Sequence, residues 1–164
     1  MAIRILIAIS IALLFLTGVE RECQAQEKGV LGLGVLLGEP TGVAAKYFLT
    51  DDTALSGALG FAPIANGLAA HVDYLWHPIV LDSRTTVVMP LYVGIGGRIL
   101  RRRRTNGVAE HFRFGGRGVV GVVFDFVEKP IDVFLETAVV AELRTEGTAF
   151  GLDLNFGVGV RYYF

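Results

Sequence analysis

From residue 29 to residue 164, large apolar side chains recur at every second position, with small or polar ones between them. The segment NFGVGVRYYF shows it: Phe156, Val158, Val160, Tyr162 and Phe164 share one parity, and Asn155, Gly157, Gly159, Arg161 and Tyr163 share the other. A period of two belongs to a β-strand with two unlike faces, whereas a helix repeats its faces about every 3.6 residues. The 21 glycines and the recurrent Val, Leu, Phe and Tyr agree with strands, because Gly weakens helix interiors and β-branched and aromatic residues suit a pleated surface.

Turn signals divide this stretch into eight predicted strands, at residues 29–37, 43–50, 53–61, 67–76, 86–99, 110–126, 131–143 and 150–164. The connectors are GEPTG, DD, APIAN, HPIVLDSRT, LRRRRTNGVA, VEKP and RTEGTA. The 139 residues after position 25 allow about 17 per strand and connector, which suits strands of roughly ten residues crossing a bilayer at a tilt.

The first 25 residues follow another logic. Arg4 precedes an apolar run at positions 5–16 broken only by Ser10, a secretory signal pattern too short for the ~20 residues of a spanning helix. Cleavage after Ala25 leaves Cys23 and Ala25 as the small residues at the −3 and −1 positions, with a mature domain over 26–164. The rival reading, a lipoprotein acylated on Cys23, is disfavoured by Glu20, Arg21 and Glu22 immediately before it. Without Cys23 the mature chain holds no cysteine, so disulfides and thiol chemistry are excluded.

One face of the predicted strands collects Lys46, Arg98, Arg113, Arg117 and Arg161 together with Asp73, Asp132, Glu136, Glu142 and Asp153. Five cations thus meet five anions. A soluble sandwich or lipocalin-like barrel, with its apolar face inward, alternates in the same way, so alternation alone does not say which side is outside. The aromatic residues decide between them. With strands alternating in direction from a periplasmic start, Trp76, Phe124, Tyr162 and Phe164 fall at one rim and Phe61, Phe112 and Phe150 at the other. Two aromatic girdles flanking an aliphatic band suit a barrel in lipid.

A strand ending in Phe164, with Phe156, Val158, Val160 and Tyr162 at alternate positions, resembles the signal by which the outer-membrane assembly machinery recognises its β-barrel clients. The mature chain is similar to small barrels of the OmpA and OmpX type. The stretches GLGVLLGEPTGVAAKYFLTDDTALSGALGF, HVDYLWH and PLYVGIGGR resemble an outer-membrane barrel family met in spirochaetes and other bacteria. The 164 residues hold no peptidoglycan-binding segment, unlike OmpA, and no long connectors, unlike OmpX. The resemblance implies an all-β, eight-stranded antiparallel up-and-down transmembrane β-barrel in the bacterial outer membrane, with lipid, lipopolysaccharide and the assembly machinery as partners.

Eight strands enclose an interior that side chains fill, so the ten inward charges are expected to form a packed network, with a narrow ion or proton path as the alternative. Folding back at the Lys129 turn places Arg117 across from Glu142. His71 and Asp73 share the lumen face, and Ser56 has the same parity on the preceding strand; a lipid A-modifying enzyme would need such a nucleophile beside a base. No catalytic, cofactor or metal residue is assigned, since polar lumen residues need partners for structural reasons alone and His77 and His111 fall near opposite ends. Arg101, Arg102, Arg103 and Arg104 form the unbalanced charge run. It sits in an outer connector, where it contacts lipopolysaccharide phosphates or is simply solvated, and nucleic acid is not expected. GLGVLLG and GIGG lack the helix and Gly-Lys-Ser/Thr of a phosphate loop. The expected role is structural or surface-interactive, with no extracellular ligand named.

Overall fold

The computed structural model of the chain describes residues 29–102, 111–144 and 150–164. The predicted signal segment, residues 1–25, lies outside these. Strands β1 (Leu31–Gly38), β2 (Thr41–Phe48), β3 (Thr53–Ala62), β4 (Gly67–Ser83), β5 (Val87–Arg102), β6 (His111–Phe126), β7 (Ile131–Arg144) and β8 (Phe150–Tyr163) pair antiparallel in chain order. The circle closes between β8 and β1, where Val158 stands beside Leu37, Val160 beside Val35 and Tyr162 beside Leu33. Closure leaves no open sheet edge around the wall.

The barrel is strongly sheared. Stepping across the ladders from Gly32 leads through Lys46, Ser56, Asp73, Gly96, Arg117, Val140 and Asp153. Extending the β1–β8 register returns the path to position 42, ten residues beyond its start. Such a stagger accompanies strands tilted by roughly 35–45°.

One predicted connector is strand instead. The segment HPIVLDS belongs to β4, pairing Ile79 with Leu91 and Ser83 with Val88, with register shifts after Trp76 and after Val80. Pro78 suggests a break because proline cannot donate to a ladder, but β3 begins at Thr53, opposite Trp76. Beyond that point β4 has β5 on one side only, and an edge tolerates proline.

The structure also answers which side is outside. The apolar parity points outward: Val72 is 62% exposed, Ile95 74% and Phe156 66%, whereas Asp73, Asp132 and Arg161 are each 1% exposed. This inverts the arrangement of a soluble barrel. By strand direction and register, Trp76, Phe124, Tyr162 and Phe164 lie at the end where β1 starts and β8 finishes, here called proximal. Phe61 and Phe112 lie at the distal end.

Candidate functional site: the lumen

Inward aromatic rings lie over glycines of neighbouring strands. A Cβ at Gly121 would collide with the Tyr92 ring, one at Gly159 with Phe134, and one at Gly32 with Tyr163. Tyr92 and Phe134 join Leu36, Leu75, Val119, Val123 and three alanines in one buried cluster across the middle of the barrel. Phe48, Ala54 and Tyr163 fill the proximal end, and Ala62, Ala69 and Leu100 pack distally.

The charges occupy three groups around this packing. Distally, Arg98 on β5 donates from Nη1 to Asp153 Oδ2 at 2.9 Å and to Asn155 Oδ1 at 3.0 Å, both on β8. The same guanidinium pairs with Glu142 and with Glu39 of the β1–β2 turn, each at 3.5 Å, and Arg113 Nη1 reaches Glu142 at 3.4 Å. Glu39 is held further by the Ala65 amide, which donates to its Oε1 at 3.0 Å. One arginine thereby ties together four parts of the wall.

In the central group, Arg117 on β6 pairs through Nε with Asp73 Oδ2 at 3.1 Å and through Nη2 with Glu136. Tyr92 donates to the other Glu136 oxygen at 3.0 Å. Arg117 Nη1 is 3.2 Å from His71 Nδ1; because arginine only donates, Nδ1 is the acceptor and Nε2 carries the proton that faces Asp73.

In the proximal group, Arg161 donates from Nε and Nη2 to the two oxygens of Asp132 at 3.1 and 2.9 Å, and Tyr163 donates to Asp132 at 2.6 Å. The guanidinium lies 3.9 Å over the Phe134 ring, a cation–π contact in a desolvated setting. Lys46 differs from the four arginines. Its ammonium donates to His77 Nε2 at 2.9 Å and sits 4.4 Å over Phe48, with His77 Nδ1 directed to the Asp52 carbonyl at 3.1 Å.

All ten expected lumen residues, Lys46, Asp73, Arg98, Arg113, Arg117, Asp132, Glu136, Glu142, Asp153 and Arg161, therefore face inward. One expected contact is corrected. Arg117 lies beside Val140, and Gly115 stands opposite Glu142. The β6–β7 register brings Val140, two residues short of Glu142, opposite Arg117, so Arg117 takes Glu136 and Glu142 falls to Arg98 and Arg113. Glu39, the Tyr92 hydroxyl and Asp125 were not anticipated. GEPTG reads as an ordinary exposed turn, and only closure of the barrel turns its carboxylate inward.

Ser56 donates to the Ala45 carbonyl at 3.4 Å and stands opposite Asp73 in the β3–β4 ladder, while His71 is engaged by Arg117. His77 is proximal and His111 opens β6 at the distal end. Arg101 and Arg102 end β5 and are exposed, with Arg102 Nε donating to Ala65 O at 3.0 Å; Arg103 and Arg104 lie outside the described residues. Phe156, Val158, Val160, Tyr162 and Phe164 all sit on the outer face, with the Tyr162 and Phe164 rings 5.0 Å apart.

No protein-family model matches the chain, and no curated protein sequence matches it. Among solved structures, it is similar to the crystal structure of the N-terminal β-barrel domain of Pseudomonas aeruginosa OprF, at 16% identity and a TM-score of 0.56. The likeness covers 85% of this chain and 100% of that one. The shared property is the fold: an all-β, eight-stranded, closed antiparallel barrel.

Proposed function

We propose that the protein is an integral outer-membrane β-barrel with a structural or surface-interacting role and no enzymatic activity. The observation that carries this reading is the outward belt of exposed Leu, Val, Ile and Phe around a charged interior. In water such a belt would be an aggregation hazard far beyond the patches that soluble proteins expose; in lipid it is the required surface. The similarity in fold to the OprF barrel domain supports the same reading, as do the aromatic residues at both ends.

In this proposal residues 1–25 direct export, the proximal end faces the periplasm, and Phe156, Val158, Val160, Tyr162 and Phe164 engage the assembly machinery. Arg101, Arg102, Arg103 and Arg104 then lie at the cell surface, within reach of lipopolysaccharide. The similarity to spirochaete barrels belongs to the proposal as well. The direct test is gel mobility of the membrane fraction with and without boiling. A shift on heating is expected, and recovery of the chain as a soluble protein would refute the membrane assignment. Lipid A from cells with and without the protein should have identical mass, and a difference would restore the enzymatic reading.

A further inference from the structure

The outer wall has a gap. Gly97 of β5, Gly116 of β6 and Ala141 of β7 stand side by side in the ladders and point outward. With Val72, Ile99 and Phe114 as walls, they line an open groove of about 500 Å³ in the apolar belt, separate from a recess of about 650 Å³ walled by larger side chains such as Val120, Leu135 and Phe156.

The barrel itself gives no reason for these glycines. A Cβ at Gly116 would meet nothing within 4 Å, and one at Gly97 nothing nearer than 4.0 Å. Neither has a positive φ. The inward neighbour Gly96 is different, since a Cβ there would strike Asp73 and the Val72 carbonyl. Glycine inside a strand sacrifices stability and often marks the close approach of something from outside. Gly118, the next outward residue of β6, is equally open but stands between Ile95 and Val139, whereas at Gly97, Gly116 and Ala141 three adjoining small residues leave a recess open to an external occupant.

Charge at the rim says what kind. Arg101 follows Ile99 as the next outward residue of β5, is exposed, and stands opposite Phe112. It lies four residues from Gly97, roughly 13 Å at ~3.3 Å per residue. A cation, an aromatic ring and an apolar slot thus follow one another down the wall, matching the order of groups in an amphiphile with an anionic head. We propose that this groove seats one acyl chain of a phosphorylated glycolipid of the lipid A class, whose phosphate is held by Arg101. The assignment rests on the membrane reading above, which puts the distal rim in the surface leaflet. It goes further by naming the site and the chain that fills it. Arginine favours bidentate phosphate contact.

The test is native mass spectrometry of the full barrel released from detergent micelles, with hexa-acylated lipid A or phosphatidylglycerol as the probe. The wild-type protein should retain one lipid A. Gly97→Leu/Gly116→Leu, which fills the groove where there is space for side chains, should weaken retention by about tenfold or more, and Arg101→Gln should weaken it several-fold. Ala45→Leu, on a distant outward position, should leave it unchanged. Unchanged lipid A retention in both the groove and Arg101 variants would overturn the proposal. So would equal retention of phosphatidylglycerol, or loss of a dimer in place of the lipid. Mobility shift on heating is read in the same samples. Its absence in the wild type refutes the membrane reading itself, whereas its presence with unaltered lipid A binding refutes the groove alone. Arg101→Gln, at an exposed rim, keeps the test decisive if the double leucine variant does not fold.

Discussion

The inward cations are not equivalent at the level of single residues. Arg98 holds Asp153 and Asn155 and lies 3.5 Å from both Glu39 and Glu142, so Arg98→Met would leave a cluster of buried carboxylates short of its main counter-charge. Breaking a buried pair from one side costs about 3–5 kcal/mol, and denaturant unfolding in detergent should show a loss of that order. Lys46 touches His77 and the Phe48 ring instead of a carboxylate. Its burial is a desolvation that no contacting carboxylate offsets, so Lys46→Met should change stability by less than about 1 kcal/mol or raise it. Equal losses in the two variants would mean that contact geometry does not rank these charges. Glycines divide in the same way. Gly159→Ala forces a Cβ to within 2.6 Å of the Val35 carbonyl and into the Phe134 ring, for an expected loss of about 1–3 kcal/mol. Gly118→Ala opens into free space and should gain roughly 0.4–1 kcal/mol by restricting the unfolded chain. The same unfolding experiment reads both.

At the level of elements, the closing seam is the pairing on which the barrel depends, because the two strands furthest apart in the chain must meet. Leu37 and Val158 are direct partners across β1 and β8. In a Cys23→Ala background, Leu37→Cys/Val158→Cys should form a disulfide, since directly paired strand residues fall within the Cα separation that a disulfide spans. Non-reducing gels should show a faster-migrating denatured species, and Leu37→Cys/Phe156→Cys, displaced by one outward position, should cross-link less. Most of this layout was legible in the sequence. Alternating parity assigned Lys46, Asp73, Arg117 and Arg161 to one face, and that assignment needs no knowledge of register. What parity leaves open is longitudinal position. The β6–β7 ladder sets Arg117 beside Val140, two residues short of Glu142, which exchanges the partners of Arg117 and Glu142 without moving either to another face. Similarly, Pro78 conceals strand where local chemistry suggests a turn, because its tolerance depends on β3 reaching along β4 no further than the Thr53–Trp76 pair. Glu39 was hidden for a related reason: a turn's carboxylate faces inward only once Ala65 and Arg98 are brought to it by other strands.

At the level of the whole molecule, the interior contains both a charged lining and an apolar stopper, and these favour opposite properties. Among the described residues, the inward carboxylates Glu39, Asp73, Asp125, Asp132, Glu136, Glu142 and Asp153 stand against Lys46, Arg98, Arg113, Arg117 and Arg161, with Arg102 at the distal mouth. Carboxylates outnumber cations in this set, so an open passage through this barrel would favour cations electrostatically. The middle is nevertheless filled by Leu36, Leu75, Tyr92, Val119, Val123 and Phe134, close apolar packing that disfavours water in that layer. The wild-type protein should accordingly show no stepwise conductance in planar bilayers. Leu36→Ala/Leu75→Ala/Phe134→Ala removes side chains from three strands of the stopper while leaving the charged residues themselves unsubstituted. It should produce small, cation-selective steps, provided that its heat-modifiable mobility is retained. Steady conductance by the wild type would show that the apolar layer opens, and would move the protein to the narrow-channel reading. Anion selectivity in the triple variant would show instead that the excess carboxylates do not set the field along the passage.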